Sequence, residues 1–283
     1  MQPAEARHAV AAAMAAASAL DLAVDDAVVL NDSNRLVVRL LPCDVIARVT
    51  PPAHHGSAER EVALARRLAS TDGPVAALDP RVEPRAYERD DFVITFWAYL
   101  EPARALDLPP ADYAHALDRL HRAMRQIDVT APHFTERVAA TQRWVASPDV
   151  TPDLTERDRE VLANTMRDLT GSLVDRGAAE QLLHGEPHPW NVLNTNNGPR
   201  FIDFENAAHG PVEYDLAWVP KAVSERYPGA DQELLDECRG IVLAIIATHR
   251  WTSGDQHPSG RPSGVAFLNA LREGPPWPPL DTV

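Results

Sequence analysis

Three short runs near the start of the chain, residues 28–30, 36–41 and 45–50, are rich in branched apolar side chains and are split by the turns NDSN and PCD. Runs of this kind, bounded by turn residues, predict β-strands. Ahead of them, residues 5–20 predict an alanine-rich helix. It reads as amphipathic rather than as a secretory h-region, because Glu5 and His8 stand where a basic start belongs. After the third strand, GSAEREVALARRLAST opens on serine, repeats alanine and leucine at helical spacing and stops at DGP, which predicts a helix over residues 57–70. FVITFWAYLEP, residues 92–102, predicts a strand running into a linker.

The period then changes. Residues 110–127 and 153–175 place apolar side chains three and four apart and predict helices. Short strands are expected around Val192 and Phe201, joined by the hairpin turn NTNNGP. Residues 231–249 predict a strong helix, with acids in its first turn and an apolar stripe of Leu234, Leu235, Cys238, Ile241, Val242 and Ile245. From Gln256 onward proline and glycine dominate, and an irregular tail is expected. The chain therefore reads as a sheet-rich lobe over residues 1–98 and a larger, mainly helical lobe over residues 99–283. A cleft between lobes is a common ligand site.

Charge narrows the partners. A formal net charge of −14 argues against a nucleic-acid footprint and favours a cationic small molecule. No run reaches the roughly 18 apolar residues of a membrane span. Two cysteines far apart, Cys43 and Cys238, point to a reducing cytoplasm. Lys221 is the only lysine, so arginine carries nearly all the positive charge.

The chemistry gathers in LLHGEPHPWNVLN, residues 182–194, and FIDFENA, residues 201–207. A carboxylate at Glu186, an amide at Asn191 and a carboxylate at Asp203 are hard oxygen donors, and the hairpin between the last two would set their strands side by side. Phosphoryl transfer needs such a set: an acid near the attacking hydroxyl and oxygens that hold Mg2+. His184, Glu186 and His188 also alternate as a zinc or iron set would on a strand, but Pro187 and Pro189 disfavour a strand there.

HGExxxxN followed by IDFE resembles the aminoglycoside phosphotransferase and choline kinase branch of the protein-kinase-like fold, whose loop usually reads H-G-D-x-x-x-x-N. GPVEYDLA, residues 210–217, and ALDRLHRAM, residues 116–124, are similar to further family segments. The resemblance implies an α+β, two-lobed kinase-like fold with a small antiparallel-sheet first lobe and a helical second lobe. It implies Glu186 at the position of the catalytic aspartate and Asn191 and Asp203 as metal ligands. It also implies Arg48 as the phosphate-binding cation, with Glu61 as its partner on the following helix. Ser33, in NDSN, falls at the phosphate-covering turn. Trp97 and Tyr99 stand as walls for a nucleotide base. His184 is expected to anchor the loop, Asp215 to hold its backbone, and Trp190, where the family usually has glycine, to pack into the core.

The expected activity is transfer of the γ-phosphoryl of ATP or GTP, with Mg2+, to a hydroxyl of a small molecule. An aminoglycoside or another amine-bearing antibiotic or metabolite leads, which would make antibiotic resistance the role. The alternative is a catalytically weak kinase-like protein that binds nucleotide or ligand.

Overall fold

The strands foreseen in the first hundred residues form one antiparallel sheet. In the computed structural model, which describes residues 2–32, 35–103, 107–255, 257 and 259–283, helix α1 (Pro3–Ser18) precedes strands β1 (Val24–Asp32), β2 (Leu36–Pro42) and β3 (Val45–Thr50). Helix α2 (His55–Leu68) follows, then β4 (Tyr87–Arg89) and β5 (Phe92–Ala98). The sheet order is β1-β2-β3-β5-β4.

Strand alternation divides the labour of its two faces. Leu36, Val38, Leu40, Val45, Ala47, Val49, Ile94 and Phe96 pack on one face against Ala9, Ala12, Ala13, Ala16 and Ala17 of α1. The small alanine side chains let the helix lie close to the sheet. On the other face Arg48 stands opposite Thr95 and Ile46 opposite Trp97, and α2 packs alongside β5. A one-residue slip in β3 would put Arg48 into the apolar layer, so register decides where the charge goes.

The rest of the chain is mainly helical: α3 (Pro110–Met124), α4 (Phe134–Ala146), α5 (Glu156–Arg176), α6 (Val212–Leu216), α7 (Lys221–Ser224), α8 (Gln232–Arg250) and α9 (Gly260–Glu273). Four short strands are interspersed, β6 (Gln181–Leu183), β7 (Val192–Thr195), β8 (Gly198–Phe201) and β9 (Ala208–Gly210). They pair as β6 with β9 and β7 with β8.

The foreseen stripe of α8 is buried, and so are Leu243, Ala244 and Ala247, which makes α8 a core helix rather than an amphipathic surface one. Asp231 caps it by accepting from the backbone N–H groups of Glu233 and Leu234. The expected irregular tail instead contains α9, which packs on α8. Its Gly264 is a contact point rather than a breaker: a Cβ there would lie 2.8 Å from Cβ of Arg250. Helix α4 also went unforeseen, although Phe134, Val138, Thr141 and Val145 form its buried face at helical spacing.

The chain divides into two compact units. One comprises Met1–Leu108, Gln126–Val129 and Leu193–Glu205, the other Pro109–Arg125, Thr130–Val192 and Asn206–Val283. No described helix is long and apolar enough to cross a membrane.

Candidate active site

In the second unit, the segment after β6 is held by one buried carboxylate. Asp215, on α6, is fully enclosed. Its Oδ1 accepts the Gly185 N–H at 2.8 Å, and its Oδ2 accepts the His184 N–H at 2.9 Å and His121 Nε2 at 3.0 Å. With Nε2–H donating, the Nδ1 of His121 accepts from the Tyr227 hydroxyl at 2.8 Å. The foreseen role of Asp215 as a holder of backbone is what this geometry shows. His184 is equally enclosed, and its Nδ1 lies 3.4 Å from the Glu186 N–H it accepts. It anchors the loop.

Gly185 turns the chain at φ +86°, and a Cβ there would sit 1.8 Å from the backbone oxygen of Asn206. Only glycine meets both demands. Gly185→Ala is therefore expected to displace Asn206, lower stability by about 2 kcal/mol or more and cut turnover by on the order of a hundredfold. A melting curve and a rate measurement on the same sample check both effects.

The carboxylate that this loop presents is Glu186. Its Oε2 accepts from Arg137 Nη2 at 3.1 Å and from Asn206 Nδ2 at 2.7 Å. Its Oε1 lies 3.6 Å from His188 Nε2. Burial opposes its ionisation, yet Arg137 and then His188 and His249 outweigh burial and hold its carboxyl below the usual value. His249 is itself pushed down to about 4 by burial and by Arg137, so it is neutral at pH 7 and Arg137 carries the charge that meets Glu186. Arg137 also donates to the Gly185 carbonyl at 3.2 Å, and its guanidinium lies 4.7 Å from the ring centre of Trp218.

Asn191 ends a short 3-10 turn, Pro189–Asn191. Its Nδ2 donates to the Glu186 carbonyl at 3.0 Å, which leaves its Oδ1 as an acceptor or ligand atom. Trp190 corrects an expectation. It is 88% exposed rather than packed in the core, because the 3-10 turn Pro189–Asn191 has no buried position to receive it.

In the first unit the foreseen pair forms. Arg48 Nη1 donates to Glu61 Oε1 at 2.5 Å, with both side chains buried. Glu61 Oε1 also accepts the Phe204 N–H at 3.1 Å, and its Oε2 accepts from Arg35 Nη1 at 2.9 Å. Arg48, Thr50, Glu61 and Thr95 line a cavity of about 10 Å3, room for about one water.

Asp203 adopts φ +68°, the left-handed region that aspartate tolerates better than most residues. Its Oδ1 is buried without a hydrogen-bond partner among the described residues. An oxygen in that state fits a hard cation such as Mg2+, which takes few protein oxygens and completes its shell with phosphate and water. Among the described residues no group of three or more His, Cys, Asp or Glu gathers as a metal site. Burial and the neighbouring Asp203 and Glu61 raise the Glu205 carboxyl despite Arg35.

Trp97 is buried on β5, donates from Nε1 to Thr95 Oγ1 at 2.9 Å, and has the Arg48 guanidinium 4.8 Å from its ring centre. Tyr99 is half-buried, with the Arg39 guanidinium 3.6 Å from its ring. Ser33 lies outside the described residues.

Sequence reading missed Arg35, Arg137 and Asn206. Arg35 directly follows NDSN, and Arg137 sits on the unforeseen α4, whose apolar spacing was the available signal.

Removing Arg48 leaves Glu61 with two other donors, Arg35 and the Phe204 N–H. Arg48→Ala is thus expected to cost about 1–3 kcal/mol, below the 3–5 kcal/mol of a pair broken outright, and to weaken nucleotide binding. If urea denaturation shows the loss and nucleotide affinity is unchanged, the pair is structural only.

A five-stranded antiparallel sheet with one inserted helix, a mainly helical second part and a pinned acid loop define a protein-kinase-like small-molecule phosphotransferase. The chain belongs to the phosphotransferase enzyme family, whose model matches residues 8–238.

Three solved structures share the fold. An amicoumacin kinase, hAmiN, in complex with AMP-PNP, Ca2+ and Ami, is 12% identical, with a TM-score of 0.73 over 98% of each chain. The choline kinase LicA from Streptococcus pneumoniae is 15% identical, with a TM-score of 0.68 over 95% of this chain and 97% of that one. A GDP complex of wild-type aminoglycoside 2'-phosphotransferase-IIIa is 15% identical, with a TM-score of 0.61 over 92% and 96%. None of the curated proteins matches the chain.

Proposed function

We propose that this chain transfers the γ-phosphoryl of ATP or GTP to a hydroxyl of an amine-bearing small molecule. The observation that carries the reading is the Glu186 carboxylate, ionised by Arg137, oriented by Asn206 and presented on a loop that Asp215 pins. In this reading Glu186 orients the acceptor hydroxyl and takes its proton at Oε1, the oxygen that Arg137 and Asn206 leave less engaged. Asn191 and Asp203 each offer one oxygen to Mg2+, which when bound neutralises phosphate charge. Arg48, steadied by Glu61, meets a nucleotide phosphate, and Trp97 and Tyr99 border the base.

Support for a cationic acceptor comes from the net charge of −14. Choline and aminoglycosides, named for two of the structural neighbours, both carry positive nitrogen. Two free cysteines and the absence of a membrane-length apolar helix among the described residues support a cytoplasmic enzyme.

The test is nucleotide consumption by the purified chain with Mg2+, separately with ATP and GTP, across aminoglycosides, choline and sugars. Acceptor-dependent turnover supports the reading. Tight Mg2+–nucleotide binding with no turnover on any acceptor overturns it in favour of a binding protein.

A further inference from the structure

The first unit already holds a cation against the carboxylate that metal binding requires. Arg35 immediately precedes β2, and its side chain is only 9% exposed. Its Nη1 donates to Glu61 Oε2 at 2.9 Å, its Nη2 donates to Glu205 Oε2, and the same Nη2 lies 3.2 Å from Asp203 Oδ1. The last contact is a charge contact without an aligned hydrogen bond, since Asp203 Oδ1 has no hydrogen-bond partner among the described residues. Three carboxylates, Glu61, Asp203 and Glu205, thus converge on Arg35, and Arg48 supplies the second positive charge on Glu61.

A guanidinium does not lose its proton in proteins, so this charge is permanent. A divalent ion on Asp203 Oδ1 would meet a like charge a few ångströms away, in a poorly screened setting. The two cations therefore exclude one another at that oxygen.

We propose that Arg35 is the resident counter-ion of Asp203 and Glu205, and that a divalent cation binds Asp203 only by displacing Arg35 Nη2 from it. Arg35 then sets the metal affinity. Metal alone is held weakly, whereas metal arriving with nucleotide phosphates brings the negative charge that offsets the repulsion. This role explains why a second arginine accompanies a Glu61 already paired by Arg48. It rests on the reading of Asp203 as the metal ligand.

The test is calorimetric titration of the full chain with Mn2+, without nucleotide and with AMP-PNP, together with melting curves at each Mn2+ concentration. Arg35→Gln is expected to tighten nucleotide-free Mn2+ binding by at least about tenfold, on the scale of one removed like charge nearby. It should also gain more melting temperature from Mn2+ than the native chain does. Arg35→Lys keeps a charge but has a single ammonium to share among three carboxylates, so it should fall between the two. It carries the test if Arg35→Gln does not fold.

Asp203→Asn is expected to remove Mn2+ binding in the native and Arg35→Gln backgrounds alike. Unchanged Mn2+ affinity in the Arg35 variants, or a gain that survives Asp203→Asn, overturns the counter-ion role. In the first of these cases, loss of Mn2+ in Asp203→Asn alone leaves the metal-ligand reading standing. Mn2+ binding untouched by Asp203→Asn in the native background overturns both.

Discussion

Glu186→Gln is expected to keep nucleotide binding and lose about 10²–10⁴-fold in phosphoryl transfer, the range a positioned acid–base group contributes. The amide matches the carboxylate in size, so the loop that Asp215 pins should stay folded. What changes is charge: Arg137 loses its anionic partner at 3.1 Å, and no base faces the acceptor. The length of the side chain matters separately. Glu186 reaches both Arg137 and Asn206 through Oε2, and Glu186→Asp, shorter by one methylene, cannot hold both from the same backbone. It is expected to be slower than the native protein by on the order of a hundredfold. Glutamate therefore suits this loop because its two partners sit at glutamate's reach. A turnover assay with nucleotide titration on each variant decides it: near-native turnover in Glu186→Gln, or a faster Glu186→Asp, would sink the assignment.

Asp215→Asn should have the largest effect on stability. The native carboxylate accepts from three donors, the N–H groups of His184 and Gly185 and the Nε2–H of His121, and it does so fully buried. Asparagine has one acceptor oxygen and one donor NH2. Whichever way the amide is set, an N–H meets an N–H on one side of the site. Buried hydrogen bonds to a charged group contribute about 1.5–3 kcal/mol each, and an unsatisfied donor adds its own desolvation cost. A loss of about 3 kcal/mol or more in urea denaturation is therefore expected. Turnover should fall with it, because the turn at Gly185 sets the direction of Glu186. A variant within about 0.5 kcal/mol of the native stability, the ordinary scatter of a surface change, would show that the loop is held some other way.

Much of the architecture was legible because its signals are local. Alternation in residues 36–50 and 92–98 marks strands whose inner faces meet α1, and the 3.6-residue period marks α2, α3, α5 and α8. The Arg48–Glu61 pair followed from the family resemblance, which puts a cation on the third strand and its partner on the following helix. The motif spacing around Glu186, Asn191, Asp203 and Asp215 nominated those residues as candidates, since a family's loop geometry is carried by a few residues at fixed offsets. Misreadings arose where a local rule met a tertiary contact. Gly260, Gly264 and the prolines near them read as a tail, yet α9 forms because glycine lets it approach α8. Trp190 read as core because large rings usually are, but a 3-10 turn of three residues points it to solvent.

The sequence by itself determined the fold class, the family and the acid loop, because each is written in period or spacing along a continuous stretch. Only the tertiary structure decided which cations serve the carboxylates. Arg35 meets Glu205 across 170 positions, and Arg137 meets Glu186 across 49. No periodicity marks such partners. A long arginine side chain finds its carboxylate through the packing of several elements, and the partial burial of both groups then favours keeping them paired.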